Sequence, residues 1–107
     1  MILIDNKGVI HQAVKVLPES LRFRFLEILS ELEMPEAWEN KHFPKTELRR
    51  VPGLQQPIYS ANIDARGAWK LYLEYADEKM YLSHLTTALD AEGKPESIDL
   101  ITNLNEF

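Results

Sequence analysis

Apolar and polar positions alternate most regularly between Pro57 and Thr87, in three runs rich in aromatic and β-favouring residues. In the first run Tyr59, Ala61 and Ile63 fall on one side, with Ser60 and Asn62 on the other. In the second, Trp69, Leu71, Leu73 and Tyr75 oppose Lys70, Tyr72 and Glu74. Asp64-Ala65-Arg66-Gly67 and Ala76-Asp77-Glu78 carry turn chemistry between the runs, so the pattern predicts a three-stranded antiparallel meander with one apolar face.

Upstream, the period lengthens. Val9, Ile10, Ala13, Val14, Val16 and Leu17 fit a short amphipathic helix, although a strand around Gly8 to His11 is also compatible with the pattern. Leu21, Phe25, Ile28 or Leu29, and Leu32 recur at helical spacing after Pro18 and Glu19, and Met34-Pro35 ends that helix. Its Arg22, Arg24, Glu27 and Glu31 stand at separations suited to ion pairs along the helix. Met1 to Ile4 reads as a short edge strand. Residues 35–57 contain four prolines and read as an ordered connection, anchored by Trp38 and Phe43 and held to the core by Leu48, Val51 and Leu54. Ala88 to Lys94 reads as a turn, and Ile98 to Leu104 as a short C-terminal helix. The expected fold is α+β: an antiparallel sheet with two N-terminal helices packed on one face.

A chain of 107 residues is large enough for one core and too short for two, so residues 1–107 are read as a single domain. The absence of cysteine removes thiolate catalysis and zinc–thiolate sites from consideration. No apolar run approaches the roughly 20 residues that span a bilayer, and MILIDNKG lacks the pattern of a secretory leader. A cytoplasmic protein with no membrane association is expected. The net charge of −5 opposes broad nucleic-acid binding, but Lys45, Arg49 and Arg50 make a local basic stretch. The histidines at 11, 42 and 84 have no metal-ligand spacing, and no cofactor motif is present.

A short strand, two helices, Pro35, a basic connection ending in Leu48 to Gly53, and a meander opening on Ile58-Tyr59-Ser60-Ala61 together resemble the bacterial RelE/ParE toxin superfamily. Trp69-Lys70-Leu71 is similar to that family's aromatic-Arg-aliphatic segment, and the resemblance covers roughly residues 1–87. It implies the toxin of a toxin–antitoxin system, neutralised by a cognate antitoxin protein. The Pro35 to Pro57 connection and the Ile98 to Leu104 segment are the expected surfaces for that partner. RelE-like members cut messenger RNA on the ribosome as metal-independent endoribonucleases, without a cofactor; ParE-like members act on DNA gyrase.

The chemistry implied is phosphodiester cleavage by the RNA's own 2′-hydroxyl, which needs a proton acceptor, a cation at the phosphate and an acid for the leaving oxygen. The resemblance puts the catalytic cation at Lys70; among the residues themselves, the downstream strand offers His84 and Tyr81 as proton-exchanging groups, and Arg49, Arg50 and Tyr72 are the candidate RNA contacts. Two lysines of the family correspond here to Ser60 and Asn62, which supply neither a cation nor a base. Each assignment has a plainer alternative. Strict alternation through a turn at Asp77-Glu78 puts His84 on the side of Leu71 and Leu73, as a hydrogen-bonded histidine at the core margin. Lys70, Tyr72, Glu74 and Tyr81 then make a solvated face, and Arg49-Arg50 an exposed pair. The missing basic pair gives weight to a non-catalytic binding module on the same fold, gyrase-directed or decayed. An unrelated small α+β immunity or interaction protein is the third reading.

Overall fold

The computed structural model describes residues 1–64 and 68–87. In chain order the elements are β1 (Ile2–Ile4), α1 (Val9–Val16), α2 (Glu19–Glu33), α3 (Pro35–Asn40), β2 (Arg49–Arg50), β3 (Ile58–Asn62), β4 (Trp69–Ala76) and β5 (Lys79–Thr87). The strands form one sheet in the order β1-β5-β4-β3-β2. The expected meander is present as β3, β4 and β5, and β2 extends it antiparallel to β3. At the opposite edge β1 runs parallel to β5, so the sheet is mixed and not wholly antiparallel. The expected C-terminal helix and Ala65-Arg66-Gly67 of the first turn lie outside the described residues.

Helix α1 starts at Gly8, whose φ of 72° is easily reached without a Cβ. Asp5 accepts the amide protons of Val9 at 2.7 Å and Ile10 at 2.9 Å, satisfying two groups that a helix start leaves without partners. Residues 8–11 are therefore helix entry, and the alternative strand reading falls. Phe25, Ile28, Leu29 and Leu32 of α2 are buried with Ala61, Ile63, Leu71, Leu73, Met80 and Leu82 of the sheet, with Trp69 packed at the margin. This is the expected helical cover of the apolar face.

The 35–57 connection contains more regular structure than its prolines suggest. Pro35 opens α3, where its missing N–H costs nothing. Trp38 donates its indole proton to the Leu32 carbonyl at 2.7 Å and meets Phe43 edge to face, with ring centres 4.9 Å apart. The charges of α2 act on this connection instead of pairing along the helix. The buried Glu31 carboxylate accepts the backbone amides of Lys45 at 3.1 Å and Thr46 at 2.8 Å. Arg24 donates to the Lys45 carbonyl at 3.0 Å, and Glu27 pairs with the Lys45 ammonium at 3.3 Å. Together these contacts deliver the chain to β2 at the sheet edge.

Candidate functional site

The face of the sheet away from the helices is organised by register. Arg49 pairs with Ser60, Ser60 with Tyr72, and Tyr72 with His84, giving one lateral row across β2, β3, β4 and β5. Directly paired residues share a face, so all four belong to the same surface. Three interstrand steps of about 4.8 Å make the row about 14 Å long at the backbone. Lys70 lies two residues along β4 from Tyr72, on the same face and opposite Asn62 and Thr86. Arg49, Arg50, Ser60, Lys70 and Tyr72, with Val51 and Pro52, line a depression of roughly 260 Å³. The two arginines, the lysine and the tyrosine singled out in the sequence are thus brought together.

Tyr72 departs from the solvated-face expectation. It is only 4% exposed, because Val51, Leu54 and Ile58 build a second small apolar cluster around it on this face. Burial raises its phenol pKa above the usual value, so at neutral pH the ring is uncharged. Its place is the floor of the depression.

His84 is on this face as well, which corrects the prediction from strict alternation. Leu73 pairs with Leu82, but Tyr72 pairs with His84, so an irregularity at Ser83 takes up one extra residue in β5. Beyond it the pattern is reversed: Leu85, opposite Leu71, packs on the main core, while His84 and Thr86 join Tyr72 and Lys70. Ser83 Oγ and His84 Nδ1 are 3.1 Å apart and hydrogen-bonded. Partial burial, and then the positive charge of Lys7, lower the imidazole pKa. A neutral imidazole on this surface can accept a proton near physiological pH.

Tyr81 shares the face but not the depression. It pairs with Glu74 on β4 and lies beside Ile4 of β1. Glu74 is four residues from Lys70, about 13 Å along an extended chain. Of the two neutral polar positions on β3, Ser60 lines the depression, whereas the Asn62 side chain donates to Glu47 at 3.2 Å. Lys7 was invisible to sequence patterning. A lone lysine after an edge strand carries no signal until the parallel pairing of β1 and β5 is known.

No family model and no curated protein matches the chain in sequence. Among solved structures, the chain is similar to one from the archaeal RelE–RelB complex of Pyrococcus horikoshii OT3, with a TM-score of 0.56 at 19% identity. The match covers 80% of this chain and 92% of that one. The fold is therefore RelE-like: a mixed five-stranded sheet with helices on one side. No helix among the described residues is long and apolar enough to cross a membrane.

Proposed function

We propose that this protein is the toxin of a toxin–antitoxin pair and cleaves messenger RNA on the ribosome. The observation that supports this reading most is the gathering of Arg49, Arg50 and Lys70 around Tyr72, with His84 next in the same row. Arg49 and Lys70 on this face suit a phosphate, and the guanidinium can grip two of its oxygens, while Arg50, paired with Tyr59, stands at the rim of the depression. In the mechanism we assign, His84 accepts the proton of the 2′-hydroxyl. The 2′-oxygen then bonds to the adjacent phosphorus and the bond to the 5′-oxygen breaks. The products are a 2′,3′-cyclic phosphate and a 5′-hydroxyl that takes its proton from solvent. Lys70 and the arginines stabilise the charge on the crowded phosphate. His84, diagonal to Lys70 on the neighbouring strand, is nearer to it than Tyr81 is, and proton exchange is assigned to His84.

A cognate antitoxin is the proposed partner. The similar archaeal chain comes from a complex with RelB, and α1 and α2 here expose a run of apolar side chains suited to an amphipathic segment. Val14 is 54% exposed, Phe23 72% and Leu26 57%, beside a groove also lined by Ile10 and Phe25. That surface replaces the connection as the favoured docking face, because the connection is tied to α2 by Glu27 and Glu31.

The test compares wild type with Lys70→Met for messenger cleavage on translating ribosomes. Wild type is expected to cut and the variant to be inactive, with thermal stability changed by less than about 1 kcal/mol because the change is at a partly exposed position. Equal cutting by both would remove Lys70 from the mechanism. A second reading is favoured by Ser60 and Asn62: with no cation there, the fold can serve as a binding module. Gyrase inhibition, or antitoxin binding without cutting by wild type, would select it.

A further inference from the structure

A second hollow lies on the helix side of β2, away from the cation-lined row. Trp38, Lys41, Phe43, Leu48 and Tyr59 line it, and it holds roughly 400 Å³, the size of a small-molecule site. Its walls are set by the fold. The Trp38 indole is fixed by its bond to the Leu32 carbonyl at 2.7 Å, and Phe43 stands at 76° to it with ring centres 4.9 Å apart. Tyr59 and Leu48 close the other side from the margin of the main core. Among the described residues of this lining only Lys41 is charged, and it is exposed at the end of α3, where its φ of 50° turns the chain out of the helix. Strand β2 separates this hollow from the depression. Its two residues present opposite faces: Arg49 pairs with Ser60 on the row, Arg50 with Tyr59 on the aromatic side. Arg50 also lines the depression, so it stands between the two hollows.

We propose that the hollow between Trp38, Phe43 and Tyr59 is a base-binding subsite: it takes an unstacked base of single-stranded RNA whose backbone rounds the β2 edge from the depression, past Arg50. The inference rests on the RNA-cleaving reading for the role of the depression, but not for base binding itself. A nucleobase offers two flat faces to the aromatic rings, and stacking of this kind tolerates any sequence. The phosphates on either side of that base carry the negative charge that Lys41 and Arg50 can meet at the mouth of the hollow. An apolar side chain of a protein would fill the same rings but leave both cations without a counter-charge. Charge distribution points the same way. In a chain of net charge −5, Lys41, Arg49, Arg50 and Lys70 line the two hollows, and among the described residues no carboxylate does. A base held there fixes the register of the strand, and so decides which phosphate lies at Lys70.

The experiment measures, by fluorescence anisotropy at fixed salt, binding of the full chain to a labelled single-stranded decaadenylate RNA and to an abasic strand of the same length and backbone. Wild type is expected to bind decaadenylate about tenfold tighter than the abasic strand, because the abasic strand has nothing to stack. Tyr59→Leu keeps the apolar packing and removes the ring, so it should bring the two probes to within about twofold of each other, whereas Tyr59→Phe should bind as wild type. Phe43→Leu repeats the test from the other wall, and thermal melts show that each variant is folded. Arg50→Gln should weaken both probes and lower the salt slope by about one. Equal binding of the two probes by wild type, or an undiminished base preference in both folded leucine variants, would overturn the inference. So would a Trp38 indole N–H signal that moves with purified antitoxin and not with decaadenylate, which gives the hollow to a protein partner. Base-dependent binding by a protein that cuts no messenger would uphold the subsite and reject the cleavage reading. Cutting at unchanged positions by Tyr59→Leu would do the reverse, so the two failures are distinct.

Discussion

Tyr72 and Lys70 are two residues apart on one strand and line the same depression, but they answer to different forces. Tyr72 closes a small apolar cluster with Val51 and Ile58, so Tyr72→Ala should cost about 3 to 5 kcal/mol in denaturant unfolding, as for other large aromatic truncations. Loss of activity in that variant would report folding as much as chemistry. At His84 the measurable quantity is the pH dependence of stability. The imidazole pKa is lowered in the folded chain, so between the ordinary value of about 6.5 and the folded value the unfolded chain binds more protons. Stability should be fully present above about pH 6.5 and fall as pH drops through the folded pKa. Thermal melts of wild type and His84→Gln across this range should diverge on the acid side, with the variant flatter.

Among the elements, the connection from α3 to β2 is the one that the arginines depend on. It is pinned by a single buried carboxylate: Glu31 accepts two consecutive backbone amides, at Lys45 and Thr46. Glu31→Ala leaves those donors unpaired and should cost about 1.5 to 3 kcal/mol, the range for hydrogen bonds to a charged group. Faster hydrogen exchange at Val51, whose amide bonds to the Ile58 carbonyl at 2.8 Å, would show that β2 has loosened with it. Glu31→Gln keeps one acceptor and should fall between. Wild-type exchange at Val51 in Glu31→Ala would mean that the β2–β3 pairing holds the arginines by itself. None of this could be read along the chain, where Glu31 had only the look of a helix-surface charge.

For the whole molecule, the sheet separates two tasks: helices and core on one face, the cation-lined row on the other. On the helix side, Phe25 and Leu26 are neighbours in α2 that face opposite ways, Phe25 buried in the core and Leu26 57% exposed on the outer surface. Phe25→Ala should therefore cost about 2 to 5 kcal/mol through lost burial and a cavity, read by denaturant unfolding. Leu26→Asp should leave unfolding nearly unchanged while weakening binding of the proposed antitoxin by tenfold or more, roughly 1.4 kcal/mol, measured by calorimetry. Undiminished binding by Leu26→Asp would move the partner away from the α1–α2 groove.

The sequence by itself determined the meander, α2 and the pairing of their apolar faces, because period 2 and period 3.6 are local properties of backbone geometry, whereas the choice of helix over strand at residues 8–11 was made by the Asp5 cap. It also determined which side of β4 bears Lys70 and Tyr72, since alternation within one strand needs no partner. It could not determine that β1 would lie parallel to β5, because the two segments are far apart in sequence and a strand of three residues carries no pairing signal. The side of His84 was likewise set only by tertiary structure. One extra residue at Ser83 reverses alternation, and whether a strand accommodates it depends on the packing of Leu82 and Leu85 against the helices.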